Sequence, residues 1–335
     1  MRAMVCPAWG EPEQLSLQDI AEPVPGAGDV AIDVHACSAN FADLLMIGGT
    51  YQTRPALPFV PGLEAAGRIA SAPADSGFTI GDRVVAFLWH GGYAERAVAA
   101  AAETFRLPQG MSFETAAALT SVHTSADLAL RRSGQLTPSE TLLVMGASGG
   151  VGLAAVQIGK AIGAHVIALV SRPDRLEFAR QAGADHVFCH QHNEAWKHQV
   201  LDAVGPGGVN VCIDPVGGSL FDSALSTLGW GGRYVLVGFA AGQVQQIPAN
   251  RLLVKHRAAL GCSLRYFRRF APSALRQSVE QLFAWYQQRK VAPFISARLP
   301  LSQTAQGLRA LANHRAVGKI VIRVREPEGQ EGSSS

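Results

Sequence analysis

In Val30-Ala31-Ile32-Asp33-Val34-His35-Ala36 the larger apolar residues Val30, Ile32 and Val34 take every second position, with Ala31, Asp33 and His35 between them. A period of two puts every second side chain on one face of a half-buried strand. Such stretches recur up to about residue 118, broken by Pro55, Pro58, Pro61, Gly62, Gly67, Gly81 and Gly91, residues that end strands and set turns. The pattern predicts an irregular β-rich domain over 1–118. From about residue 119 the rhythm changes: apolar runs at 141–145, 165–170, 186–188, 209–213 and 233–237 are separated by stretches of helical texture. Uninterrupted apolar runs suit strands buried on both faces, and helices between them are the crossovers that parallel strands need. The second domain, expected over 119–259, is therefore a parallel sheet covered by helices. Beyond it the pattern predicts a helix over 273–288 and a last strand over 319–324, with 260–325 returning to complete the first domain.

Between the first apolar run of the second domain and its helix stands Gly146-Ala147-Ser148-Gly149-Gly150-Val151-Gly152. Strand, tight turn and helix in this order form a phosphate site, because backbone N–H groups and the positive helix end converge there. A side chain at Gly149 or Gly150 would obstruct a pyrophosphate, and Gly152 lets helix and strand pack closely. The fold class is α/β, a doubly wound parallel sheet of the Rossmann kind beside the β-rich domain. The usual motif has glycine where this chain has Ala147, so the flanking strand and helix carry the assignment. The second run ends Val170-Ser171-Arg172-Pro173-Asp174-Arg175. An NAD site has a carboxylate there for the ribose hydroxyls. Ser171 can instead hydrogen-bond a 2′-phosphate that Arg172 and Arg175 neutralise, which predicts NADPH. The plain alternative is that both arginines cover the start of a helix capped by Asp174.

Composition narrows the field. The chain has 335 residues, enough for two cores, and 48% hydrophobic against 16% charged residues, an ordinary globular balance. No apolar run is long enough to span a bilayer and the N-terminus lacks the core of a signal peptide, so the expected location is cytoplasmic. Cys6, Cys37, Cys189, Cys212 and Cys262 are scattered and spell neither a disulfide framework nor a thiolate metal cluster. A formal charge of +3 is too small to point to nucleic acid. Arg265-Tyr266-Phe267-Arg268-Arg269 is the local exception, read either as a stacking and phosphate-binding segment or as a solvated turn with buried rings. His186, His190 and His192 flank Cys189, but strand alternation puts His186 and His190 on one face and Cys189 on the other, against a metal site. The tail over 326–335, rich in Glu, Gly and Ser, is expected to be disordered.

A series of motifs in order completes the picture: Asn40-Phe41-Ala42-Asp43, Tyr51, Leu57-Pro58-Phe59-Val60-Pro61-Gly62-Leu63-Glu64, Gly81-Asp82-Arg83-Val84, Gly91-Gly92-Tyr93-Ala94-Glu95, the glycine turn, Asp214-Pro215-Val216-Gly217-Gly218 and Gly238-Phe239-Ala240. With these the chain resembles the medium-chain dehydrogenase/reductase superfamily and, within it, the zinc-independent quinone oxidoreductase branch that includes zeta-crystallin. The resemblance implies a GroES-like catalytic domain, a Rossmann domain, an active site in the cleft between them, and a homodimer whose Rossmann sheet edges pair near Gly238 to Arg257. Zinc-dependent relatives carry Cys where this chain has Asn40 and His where it has Leu63, and leucine cannot ligate zinc. Without that Lewis acid, alcohol oxidation loses its electrophile, and reduction of a quinone or an α,β-unsaturated carbonyl, an activated alkene, is the expected chemistry.

The resemblance also implies site residues. Asn40, Asp43 and Tyr51 are the catalytic candidates: Asn40 to orient a carbonyl, Tyr51 to give its phenolic proton to the developing oxyanion. Each has a structural alternative, Asp43 as a cap of the next turn and Tyr51 as a packing ring. Cofactor contacts are expected at Asn40, Thr120, His123, Ala147, Ser148, Gly149, Gly150, Val151, Ser171, Arg172, Arg175, His190, Gly238, Phe239, Ala240 and Ser263, with His123 on the nicotinamide side and His190 near the adenosine. Two other outcomes fit the sequence: an enoyl thioester reductase whose arginines at 265–269 hold coenzyme A, and an NADPH-binding structural or RNA-binding protein of the zeta-crystallin kind.

Overall fold

The computed structural model describes residues 1–191 and 195–325. His192 and the tail over 326–335 lie outside the described residues. The chain forms two compact units, Met1–Ser121 with the chain from Ile295 onward, and Val122–Phe294.

The first unit opens with an antiparallel pair, β1 (Arg2–Val5) and β2 (Ser16–Asp19). The alternating run becomes β3 (Asp29–Ala39), where Val30, Ile32 and Val34 are fully buried while Asp33 and His35 are only half-buried. After α1 (Phe41–Ile47) come β4 (Glu64–Ser71), β5 (Arg83–Phe87), β6 (Arg96–Ala100) and β7 (Thr104–Arg106), and then α2 (Phe113–Asp127), which leads into the second unit. Short strands separated by glycine and proline turns are what the punctuation predicts.

The second unit is built on β8 (Thr141–Val144), α3 (Gly150–Ile162), β9 (His165–Val170), β10 (His186–Cys189), β11 (Val209–Asp214), β12 (Leu228–Leu236) and β13 (Ala258–Gly261). These strands form one six-stranded, all-parallel sheet in the order β10-β9-β8-β11-β12-β13, the doubly wound order with its switch point beside β8. Leu143, Met145, Ile167 and Leu169 pack on one face of it with Trp196, Phe221 and Tyr234.

Two sequence expectations are corrected here. The sheet has a sixth strand, β13, whose Ala258-Ala259-Leu260-Gly261 lacks the β-branched residues that announce the other five. The chain also returns to the first unit at Ile295, not near 260. The intervening helix, Pro272–Gln287, buries Leu275, Val279, Leu282 and Phe283, a helical stripe that belongs to the second unit. The returning segment supplies β14 (Ile295–Pro300) and β15 (Lys319–Arg323), and the sheet of the first unit runs β14-β15-β3-β4-β5-β7, with β6 paired to β3.

Candidate active site

In the second unit the glycine turn joins β8 to α3 as the motif predicts. Gly146 has φ +58°, a left-handed conformation that side chains disfavour. A Cβ on Gly152 would come within 2.2 Å of the Gly146 carbonyl oxygen, so glycine there is a condition of the helix lying against the turn. A Cβ on Gly149 would meet only that same oxygen, at 3.5 Å, which leaves open space above the turn. Gly149 caps α3, and Gly150 and Val151 begin it with the N–H groups that no preceding helical turn can satisfy. Ala147 and Ser148 are buried beneath, Ala147 N–H bonding to Leu169 O at 3.0 Å and so tying the turn to β9. An oxyanion fits this cradle.

At the end of β9, Ser171 and Arg172 are exposed, and Arg172 makes a bidentate pair with Asp174 at 2.9 and 2.7 Å. Arg175 differs from expectation: it is 5% exposed, burial lowers its pKa, and its Nε lies 3.8 Å from Asp174 Oδ2. The start of the following helix draws it under the chain, and Arg172 is the guanidinium that faces solvent. His190 continues β10, its N–H bonding to Val170 O at 3.1 Å. Beyond β12, Gly238 and Ala240 bond through their N–H groups to Asp214 O and Pro215 O at 3.4 and 3.2 Å, with Phe239 39% exposed between them. The turn they rest on is shaped by Asp214, whose buried carboxylate accepts from Val216 N–H, Gly217 N–H and the Tyr234 hydroxyl at 2.7, 2.9 and 2.7 Å. Ser263 caps the short helix Leu264–Phe270. On that helix Tyr266 and Phe270 are 49% and 69% exposed and stack at 5.9 Å, so the reading of this segment as a turn with buried rings is wrong. His123 is buried with its Nε2 3.4 Å from Gln157 Oε1.

The first unit holds a separate cluster of polar groups, nearly all out of water. Asn40, which follows β3, is the N-cap residue of α1: its N–H donates to Asp43 Oδ2 at 2.9 Å, and the Asp43 N–H donates to the Asn40 backbone carbonyl at 3.1 Å. Asp43 also accepts from the Tyr93 hydroxyl at 2.6 Å and from Gly62 N–H at 3.2 Å. The capping alternative for Asp43 is thus what the side chain does, and it ties α1 to the segments at 62 and 93. Asn40 Nδ2 spends its two hydrogens on Ser38 O (3.2 Å) and Glu64 Oε1 (2.9 Å). Its Oδ1 accepts from Lys319 Nζ at 2.6 Å. No amide hydrogen remains to orient a substrate carbonyl, which corrects that role for Asn40. Glu64 is fully buried, accepting from the Ser38 hydroxyl and from Ser121 N–H at 3.0 Å. Thr120 is fully buried too, its hydroxyl donating to Ala116 O at 2.7 Å, the bond of a helix residue satisfied by its own backbone. Tyr51 packs half-buried against the core of this unit, as does Leu63. Among the described residues no group of His, Cys, Asp and Glu is arranged to hold a metal ion.

Lys319, Tyr93 and Ser38 were not singled out from the sequence. Nothing in a lone lysine opening a β-strand reveals that it is buried, and its partner Asn40 is 279 residues away.

Fold and site together define a two-unit oxidoreductase with a dinucleotide-binding sheet, and comparison with known proteins agrees. Residues 26–109 match the alcohol dehydrogenase GroES-like domain and residues 150–283 the family described as zinc-binding dehydrogenase. Quinone oxidoreductase of Rattus norvegicus is 35% identical over 96% of this chain and 97% of its own. Quinone oxidoreductase-like protein 2 homolog of Nematostella vectensis is 33% identical over 97% and 89%. The quinone oxidoreductase of Thermus thermophilus, solved alone and with NADPH, superposes with a TM-score of 0.84 at 33% identity over 97% of this chain and 100% of its own. A mycobacterial protein complexed with NADPH does so with a TM-score of 0.90 at 29% identity over 97% and 100%. The chain belongs to the zinc-independent quinone oxidoreductase branch of the medium-chain dehydrogenase/reductase superfamily.

The Asp43 carboxyl predicts a pH dependence. Burial, opposed by its hydrogen bonds, raises its pKa from 3.8 to about 7. Between those values the folded chain holds a proton that the unfolded chain has released, so stability falls as pH rises through the window. The melting temperature of the unmodified protein should therefore drop more between about pH 5 and about pH 8 than that of Asp43→Asn, which has nothing to titrate there. Parallel melting profiles for the two would contradict the assignment.

Proposed function

We propose that the chain is an NADPH-dependent reductase that passes hydride to a quinone or to an α,β-unsaturated carbonyl without zinc. One observation carries the cofactor half of this reading: the open glycine turn at the start of α3 stands beside a strand that ends in exposed Ser171 and Arg172, with no carboxylate at Ser171. A carboxylate at that position would repel a 2′-phosphate, whereas a hydroxyl and a guanidinium bind one. The NADPH complexes of the Thermus and mycobacterial relatives support the same choice.

When bound, NADPH supplies the hydride, and the protein's part is to hold, orient and polarise. Gly150 and Val151 offer backbone N–H groups to the pyrophosphate, the Gly149 N–H being held by Gly146 O at 3.0 Å while its missing side chain leaves the approach open, and Gly238 to Ala240 offer backbone on the far side of the switch point. Asn40 takes part as an acceptor for a cofactor hydroxyl or N–H, and Tyr51 as the donor of a proton to the developing oxyanion. With Asn40 and Leu63 where zinc-dependent relatives have Cys and His, the acceptor must bring its own electron sink, which quinones and enones do. The second reading is an acceptor carried on coenzyme A, favoured by the exposed Tyr266–Phe270 stack with Arg265 and Arg269 over its rings. A homodimer is also proposed. Its support is the edge position of β13 and the nearby exposed Trp230, Leu253 and Val254. The contact is thereby shifted from 238–257 alone to include β13, and a concentration-independent monomer in light scattering would rule it out.

NADPH oxidation followed against quinones, enals, enones and acryloyl-CoA tests the reading. Turnover should favour NADPH over NADH, and Ser171→Asp should reverse the order, each charge effect being roughly tenfold, or ~1.4 kcal/mol. Equal use of both cofactors by the unmodified protein contradicts it, and salt-sensitive retention of RNA without turnover would favour the binding-protein alternative. Tyr51→Phe should slow enone reduction several-fold more than quinone reduction, since a hydroquinone anion takes its proton from water afterwards. Rates within about twofold for both acceptors would remove Tyr51 from the mechanism.

A further inference from the structure

The side-chain amide of Asn40 is held between two opposite charges. On its oxygen side stands Lys319 Nζ at 2.6 Å, and on its nitrogen side Glu64 Oε1 at 2.9 Å. The two ions are 3.6 Å apart, farther from each other than either is from the amide. Lys319 is 3% exposed and Glu64 fully buried, so water does not screen the arrangement. The other polar atoms of the cluster complete it: Lys319 Nζ also donates to Ala39 O at 3.0 Å, and Glu64 takes the Ser38 hydroxyl and Ser121 N–H.

Turning the amide over would set its NH2 against an ammonium and its oxygen against a carboxylate, and would lose both charge-assisted bonds. In the orientation observed, both amide hydrogens are used and one lone pair of Oδ1 is engaged. A carbonyl oxygen has a second lone pair, and that is what the side chain has left to offer.

We infer that Lys319 is a positioning residue which, together with Glu64, locks the Asn40 amide as a hydrogen-bond acceptor toward a hydroxyl or N–H of the bound nicotinamide nucleotide. The inference deepens the NADPH reading above and rests on it. Lys319 touches neither cofactor nor substrate in this scheme; it acts through Asn40. Its effect on the ligand must therefore vanish when Asn40 is absent, which a residue serving the fold alone would not show.

The test combines NADPH titration with exchange of the Asn40 side-chain amide protons in NMR, assigned by their loss in Asn40→Ala. The unmodified protein should show a protected amide. Lys319→Met should speed its exchange tenfold or more and weaken NADPH binding by roughly tenfold, with the quinone KM nearly unchanged. In the Asn40→Ala background the same change should cost less than about twofold. Because Lys319→Met leaves Glu64 buried without a counter-ion, Glu64→Gln/Lys319→Met provides a neutral variant that keeps the fold, and it should show the same fast exchange and weak binding. An amide equally protected without Lys319, or a loss of affinity equally large with and without Asn40, overturns the proposal. Failure of the unmodified protein to bind NADPH would appear in the first titration and overturn the functional reading instead, while amide exchange would still test the lock.

Discussion

Taking a carboxylate or an ammonium out of water alone costs several kcal/mol, and the first unit buries the carboxyls of Glu64 and Asp43 beside the ammonium of Lys319. That constraint organises the chain around it. Glu64 opens β4, Lys319 opens β15, Ala39 ends β3 with Asn40 just after it, and Ser121 lies on α2, so one cluster of hydrogen bonds gathers four elements far apart in sequence. Burial lowers the pKa of Lys319 while Glu64 and Asp43 oppose that shift, and a lysine given three oxygen partners can stay charged. The return of the chain at its C-terminal end is thus a requirement of the site as well as of the sheet.

The second unit solves a different problem with backbone rather than charge. A phosphate needs donors that are already aimed, and a helix start preceded by glycines provides them without any basic side chain. On the NADPH reading proposed above, selectivity between the two nicotinamide cofactors depends on very few atoms at the end of β9. There Arg172 is paired with Asp174 while Arg175 is buried, so the charge available to a 2′-phosphate is smaller than a count of arginines suggests.

Much of this was legible in the sequence, for reasons that also mark its limits. Apolar runs such as 165–170 and the glycine turn signal themselves locally, because strand burial and close helix packing are decided by the residues involved. Ala258–Gly261 has no such signature, and its pairing with β12 had to be seen. Asp43 and Asn40 could be named from a motif, but their bonds depend on Tyr93 and Lys319, which approach from elsewhere in the chain. Arg175 shows the converse: a charged residue beside a phosphate motif reads as a ligand until its burial is known.

Residues 150–283 match the family described as zinc-binding dehydrogenase, yet Asn40 and Leu63, in the GroES-like match over 26–109, stand where the resemblance implies Cys and His ligands in zinc-dependent relatives. In the function proposed above, Tyr51 supplies the proton and Asn40, held by the buried charges behind it, orients the cofactor. The most direct test is metal analysis of the purified protein joined to NADPH–quinone turnover before and after exhaustive chelation. The account predicts no stoichiometric zinc and a rate that chelation leaves unchanged. A tightly held zinc whose removal abolishes turnover, and whose return restores it, would contradict the account.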